Sequence, residues 1–197
     1  MSDEVRERWN GLAASFDESP DHGLRDPSVR RAWADLLLSV LPPAPADVLD
    51  LGCGTGTLSV LLAESGYRVA GVDLAEQMVA AARAKAATAG VDVRIDQGDA
   101  AAPPHPPRSF DVVLCRHVLW ALPDPAAALE RWADLLRPQG RLVLIEGSWA
   151  TGAGLGAAEC ERLVRGLGRS TRLRRLDDPA YWGGETTDER YALVSPA

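Results

Sequence analysis

Val48-Leu49-Asp50-Leu51-Gly52-Cys53-Gly54-Thr55-Gly56 carries an apolar run straight into three closely spaced glycines, and Leu58, Leu61 and Leu62 follow at helical spacing. The reading is strand, sharp turn, helix. Glycine has no Cβ, so such a turn folds tightly and leaves its backbone open to a ligand. The next apolar run, Val69-Ala70-Gly71-Val72, ends on Asp73. A carboxylate at that strand end can accept both hydroxyls of an adenosine ribose. A glycine turn alone is weak evidence, and Asp73 capping the next helix is the plain alternative. Strand, turn, helix, strand and acid together predict an adenosine-binding unit from Val48 to Asp73.

Outward from this unit, short apolar runs alternate with helical spacings, the pattern of a mostly parallel sheet with crossover helices. Strands are expected at Asp47 to Leu51, Arg68 to Asp73, Val91 to Gln97, Phe110 to Cys115 and Arg141 to Gly147. Met78, Val79 and Ala82 mark a second helix. A third has Asp124 as N-cap and Pro125 at its first position, with Leu129, Trp132 and Leu136 on one face and Pro138-Gln139-Gly140 as its stop. Between Asp99 and Phe110 the prolines forbid regular helix, so a loop is expected there. Gly154 to Gly168 reads as a weak helix, and Thr171 to Leu176 with Arg190 to Val194 as a closing strand pair. The fold class is α/β: a doubly wound, Rossmann-like, mostly parallel sheet of about seven strands with helices on both faces. The first part, Val5 to Leu41, is helical and amphipathic around a break at Ser19-Pro20-Asp21-His22-Gly23, and Pro42-Pro43-Ala44-Pro45 sets it off. Residues 1–45 are therefore expected as a helical lid on a core of residues 46–197, all within one domain.

The 28 acidic against 21 basic side chains leave a formal charge of -7. That argues against a surface built to neutralise phosphates, so no nucleic acid partner is expected. Arg162, Arg165, Arg169, Arg172, Arg174 and Arg175 form one basic run without interleaved aromatics, which reads as a solvated face. Cys53, Cys115 and Cys160 suggest neither a disulfide framework nor a metal site. No stretch approaches the roughly 20 apolar residues of a membrane span, so a cytoplasmic protein with no membrane partner is expected. Oligomeric state is not legible.

Asp50 decides which adenosine ligand. It stands two residues before the first glycine, where a dinucleotide would place its pyrophosphate, and like charges repel strongly at low dielectric. S-adenosylmethionine has no phosphate and offers an ammonium and a sulfonium, which an acid attracts. Here Asp50-Leu51-Gly52-Cys53-Gly54-Thr55-Gly56 followed by Asp73 resembles the first two motifs of the class I S-adenosylmethionine-dependent methyltransferases. Gln97-Gly98-Asp99-Ala100 resembles the third, and Phe110-Asp111-Val112-Val113-Leu114-Cys115 and Leu136-Arg137-Pro138-Gln139-Gly140-Arg141-Leu142-Val143 are similar to later ones. The resemblance spans about half of the chain. It implies that Asp50 and Gly52 face the methionine end, that Cys53, Gly54 and Gly56 also belong to the cofactor site, and that Asp73 binds the ribose. Leu74 and Met78 would line the adenine, Asp99 with Ala100 would hold its edge, Gly98 would also belong to the cofactor site, and Cys115 and Arg116 would pass beneath the methionine. Trp9-Asn10-Gly11-Leu12-Ala13-Ala14-Ser15-Phe16-Asp17 is similar to the family's lid motif, with Trp9 where Tyr is usual.

In-line methyl transfer owes much to positioning, and a base helps only when the acceptor enters protonated. Histidine suits that task. His117 follows the fourth strand at the end where open α/β sheets bind ligands, and His22 lies in the lid's break. Both are candidate catalytic residues, against ordinary loop and turn roles; His105, among prolines, is not. Arg116 can orient an anionic acceptor or pair with a carboxylate. Trp120, Trp149 and Trp182 are candidates for the floor of an acceptor pocket. The expectation is methyl transfer to an O, N or S atom of a small molecule. The alternatives are a non-catalytic S-adenosylmethionine-binding protein, an RNA methyltransferase, and an NAD-dependent oxidoreductase, which Asp50 disfavours.

Overall fold

The computed structural model describes residues 3–196. Its sheet comprises β1 (Asp47–Leu51), β2 (Arg68–Asp73), β3 (Val93–Gln97), β4 (Phe110–Arg116), β5 (Leu136–Ser148), β6 (Arg172–Arg175) and β7 (Glu189–Ser195). The spatial order is β3-β2-β1-β4-β5-β7-β6. The first five strands are parallel, and β7 runs antiparallel between β5 and β6. The doubly wound α/β expectation holds, including the closing pair. The order reverses between β1 and β4, and a crevice opens at such a switch point, outside the carboxyl ends of the strands.

Alternation along the strands divides two cores. On one face Leu49, Leu51, Val113 and Leu144 pack with Leu129 and Trp132 of α6 (Pro125–Asp134) and with Cys160 and Val164 of α7 (Ala157–Gly166). On the other, Val48, Val112, Leu114 and Val143 pack with Val29, Trp33, Leu36 and Leu37 of α3 (Pro27–Val40) and with Leu58, Leu61 and Leu62 of α4 (Thr57–Glu64). Helix α5 (Glu76–Ala89) buries Met78, Val79, Ala82 and Ala86, a stripe at the spacing helices require. Caps fix the starts: the Asp26 carboxylate accepts from the Ser28 and Val29 amides and Asp124 from that of Ala127, each with proline next in the chain.

Three expectations change. The third strand begins at Val93, two residues late. Helix α6 ends at Asp134, so Leu136 is a strand residue: it pairs with Phe110, and Arg137 to Gly140 bulge out before Arg141 pairs with Val112. Pro138 forces its predecessor toward extended backbone, which suits a strand as well as a helix stop. Arg137 turns the bulge to account by reaching Asp47 at 2.6 Å and Asp111 at 2.8 Å.

The break at residues 19–23 also differs, being a single helical turn, α2 (Pro20–Gly23), after the helix α1 (Asp3–Leu12) and a tight turn at Phe16–Glu18. Pro20 presets its first position, and Leu24 closes it in the left-handed region. A Cβ on Gly23 would come within 2.1 Å of the Asp17 carbonyl oxygen, so only glycine lets this turn fold back on Phe16–Glu18. The expected loop from Asp99 to Phe110 holds no helix. Among the described residues no helix is long and apolar enough to cross a membrane. The arginine run is largely occupied internally: Arg162 and Arg165 pair with Glu159 and Glu161, Arg175 with Glu189, and Arg169 bonds the Gly140 and Ser195 carbonyls.

Candidate active site

A cavity of about 580 Å³ opens at the switch point, between the carboxyl ends of β1, β2 and β4 and the N-terminal segment. That is ample for a nucleoside-sized ligand, for which about 300–1,000 Å³ is usual. Gly52, Gly54 and Gly56 all adopt positive φ, at 68°, 55° and 76°. At Gly52 a Cβ would meet Val118 Cγ2 at 2.3 Å, and at Gly56 it would meet Ala82 Cβ at 2.8 Å. Gly52 thus keeps the ligand side open, while Gly56 lets α4 and α5 approach.

Two carboxylates face the cavity beside this turn. Asp50 is buried, accepts from Ser59 Oγ at 2.6 Å, and has its pKa raised to about 6, chiefly by burial and further by Asp73. Asp73 accepts from the Gly54 amide at 2.8 Å and the Ala75 amide at 2.9 Å, and burial raises its pKa too. It therefore caps backbone, as the plain alternative holds, and also lines the cavity. Both acids are costly to bury without a positively charged or donating partner.

The N-terminal segment closes the opposite side through ionic latches. Asp17 binds Lys85 Nζ at 2.8 Å and Thr55 Oγ1 at 2.5 Å, and Lys85 also reaches Thr57 Oγ1. Burial lowers the Lys85 pKa, with Asp17 opposing. Asp21 receives Arg116 at 2.6 Å on its carboxylate and at 2.8 Å on its carbonyl. Arg116 also lies over the Trp33 ring, 4.2 Å from its centroid, and burial brings its pKa down to about 10. Asn10 accepts from the Gln77 amide, tying α1 to the start of α5.

His22 stacks on Phe16 at 4.2 Å, its Nε2 3.6 Å from Asp21. His117 has a φ of 56°, a conformation non-glycine residues avoid and that marks functional sites. Its ring meets Trp149 edge-on at 5.3 Å, and its Nε2 is buried without a partner. Burial and the Arg116 charge lower both histidine pKa values, His117 well below 6.5, with Arg190 adding to the effect. Both imidazoles thus favour the neutral form near pH 7. Asp21, His22 and His117 each present one ligand atom within 4.8 Å of the others. The two guanidinium charges that act on this corner oppose a dication there.

Of the residues singled out from sequence, Trp9, His22, Asp50, Gly52, Cys53, Gly54, Asp73, Leu74, Met78, Ala100, Arg116 and His117 line the cavity. Gly56, Gly98, Asp99 and Cys115 do not. Gly56 is occupied with Ala82, and the Gly98 amide donates to the Asp73 carbonyl. Asp99 accepts from the Ala101 amide. Alternation along β4 turns Cys115 into the core, 3.8 Å from Glu146. Trp120 and Trp149 line the cavity, whereas Trp182 lies behind it, donating to the Leu176 carbonyl. Sequence reasoning passed over Phe16, Asp21, Val118 and Arg190, which also line it. It also missed Glu146, buried with a pKa raised to about 8, which accepts from the Val118 and Leu119 amides and so holds the loop that carries His117. A lone acid within the apolar run of β5 was the available signal.

Comparison with known proteins agrees with this geometry. Residues 49–144 match a family model described as a methyltransferase domain. The chain is 43% identical over 119 residues to a nocamycin O-methyltransferase of Saccharothrix syringae, covering 58% of this chain and 42% of that one. It is 42% identical over 139 residues to a ubiquinone biosynthesis O-methyltransferase of Xanthomonas euvesicatoria pv. vesicatoria, covering 70% and 55%. It thus spans about half the length of these curated relatives. Among solved structures, the [4+2]-cyclase SpnF matches with a TM-score of 0.74 at 18% identity, over 84% of this chain and 79% of that one. That likeness concerns the fold alone.

Proposed function

We propose that this chain, which belongs to the class I S-adenosylmethionine-dependent methyltransferases, transfers the methyl group of S-adenosylmethionine to a nucleophilic atom of a small molecule. The observation that carries the reading is the pair of carboxylates, buried Asp50 and half-buried Asp73, on the cavity wall beside three glycines of positive φ. A dinucleotide's phosphates would be repelled there, whereas a sulfonium and an ammonium gain from Asp50 what burial cost it.

In this assignment Asp73 accepts from the ribose hydroxyls with its remaining lone pairs. Asp50, Gly52 and Gly54 face the methionine end, and Leu74, Met78 and Ala100 enclose the adenine. Trp9 and Phe16 cover the cofactor from the N-terminal segment, which acts as a lid over a single domain. The cofactor supplies an electrophilic methyl on a good leaving group. The protein supplies alignment, exclusion of water by the lid and a neutral base. His117, which lines the cavity and keeps a buried Nε2 without a partner, takes that role, with a pKa low enough to keep it unprotonated. His22, paired with Asp21 on the lid, orients the acceptor. The size and lining of the cavity favour a small acceptor over RNA or a peptide.

Calorimetric titration with S-adenosylmethionine and with NAD separates the two cofactor classes. Binding of the first alone, followed by formation of S-adenosylhomocysteine with members of a phenol, amine and thiol panel, supports the reading. Tight binding with no turnover across that panel favours a non-catalytic binding protein, and NAD binding overturns the assignment.

A further inference from the structure

The end of the cavity away from the glycine turn holds more hydrogen-bond donors than the protein satisfies. Arg116, at the end of β4, and Arg190, near the start of β7, both line it, and each keeps a buried Nε–H without a partner. Their side chains are only 10% and 14% exposed. Arg116 is otherwise engaged by Asp21 and Arg190 by Asp188 at 2.9 Å. Each guanidinium thus has one carboxylate partner and an Nε–H left over, and of the two acids only Asp21 belongs to the cavity wall. Burying unsatisfied guanidinium donors is costly, and a planar anion is the partner their fork fits best.

The rest of this end is aromatic, with the Trp120 and Trp149 rings inclined at 60° to each other. Trp149 lies edge-on to His117 and 5.3 Å from Trp120, and the Arg190 guanidinium sits 5.5 Å from its ring centroid. The unpartnered His117 Nε2 completes the corner. Positive charge at the edge of an aromatic wall, with a proton acceptor beside it, is complementary to a molecule with three corresponding parts.

We infer that the methyl acceptor is a hydroxylated aromatic carboxylate, its carboxylate held by Arg190 with help from Arg116, its ring on the Trp149 and Trp120 wall, and its hydroxyl toward His117. The inference rests on the methyl-transfer reading above and names the substrate class of that site. In the reaction the hydroxyl oxygen forms a bond to the methyl carbon, and the carbon–sulfur bond breaks with its electron pair going to sulfur. S-adenosylhomocysteine leaves neutral at sulfur, and the hydroxyl proton passes to His117. The acceptor's own charge assists: a carboxylate beside the guanidiniums offsets the field that keeps the imidazole a weak base, so its basicity rises when the acceptor is in place.

The test uses the full chain saturated with S-adenosylhomocysteine, titrated with 2-, 3- and 4-hydroxybenzoate and with the matching hydroxybenzamides. At least one acid is expected to bind about ten-fold or more tightly than its amide, as a charge-assisted bidentate pair predicts. Arg190→Gln should bring that ratio close to one and Arg190→Lys should keep part of it, with affinity for S-adenosylhomocysteine unchanged in both as the control for folding. Equal binding of acid and amide, binding of no acid at all, or a preference that survives both Arg190→Gln and Arg116→Gln overturns the inference. Failure of the methyl-transfer reading would show earlier and differently, as no binding of S-adenosylhomocysteine by the wild-type chain, and would take this inference with it.

Discussion

The two ends of the cavity are built in opposite ways. The glycine-turn end comes from one continuous stretch, β1 through the start of α5, and its wall is acidic through Asp50 and Asp73. The far end is gathered from the N-terminal segment, the loop after β4, the end of β5 and the start of β7, and it is aromatic and carries two guanidiniums. In the proposed assignment one end takes the cationic cofactor and the other an anionic acceptor, and the difference in charge orders the two reactants along the cavity. A site made in one piece can be conserved as a cofactor device, whereas one made from several loops can vary its acceptor on the same scaffold.

The comparison breaks most visibly at His117. Replacing it by Gln should lower kcat by about 100-fold or more, the usual worth of a positioned base, while affinity for S-adenosylmethionine stays near wild type. Its pKa lies below 6.5 because burial and Arg116 disfavour the imidazolium. The base is therefore neutral throughout the neutral range, and kcat/KM for the acceptor, with S-adenosylmethionine saturating, should stay flat with falling pH until well below 6.5. An inflection at or above 6.5 in a pH–rate profile would contradict this.

At the other end, Asp50→Asn should weaken binding of S-adenosylmethionine by about 100-fold, the loss of roughly 2–3 kcal/mol for a charge-assisted contact. Its effect on stability has the opposite sign. The folded-state pKa of Asp50 is about 6 against a reference value of 3.8, so its ionisation penalises the folded empty protein. The penalty is absent below about pH 4, grows as pH rises from about 4 to 6, and is nearly full at pH 7, where it amounts to about 3 kcal/mol. Urea unfolding without ligand should find the Asn variant more stable at pH 7 and equal to wild type at pH 4.

Gly52→Ala sets a methyl against Val118 and a side chain on a positive φ, and should cost about 1–3 kcal/mol in unfolding. The smallest effect is expected at the lid. Lys85→Met removes the partner of Asp17 and should lose about 1 kcal/mol or less. Hydrogen exchange should quicken in residues 3–24 while β1 and β2 remain protected, which separates lid from core.

The same contrast explains what the sequence disclosed. The glycine turn, Asp50 and Asp73 lie within one βαβ unit whose periodicity and spacing are local, so their positions followed from the chain alone. The basic end depends on pairings across distance: Arg116 meets Asp21 from 95 residues away, and Arg190 arrives only because β7 runs antiparallel to β5 and starts at the cavity side of the sheet. No local pattern marks such a partner. Cys115 misled because the motif supplies the strand end, while alternation along β4 decides which of its side chains reach the cavity. Leu136 misled because a proline and a glycine after a helix signal its stop equally well when a bulged strand follows at once.

A crystal structure with S-adenosylhomocysteine tests the central claim most directly. The account predicts the ribose hydroxyls on Asp73, the methionine ammonium at the Asp50 end, and the sulfur turned toward the space between His117 and Arg116. A ligand lying the other way, with its adenine among Trp149 and Arg190, or one bound outside this cavity, would contradict it.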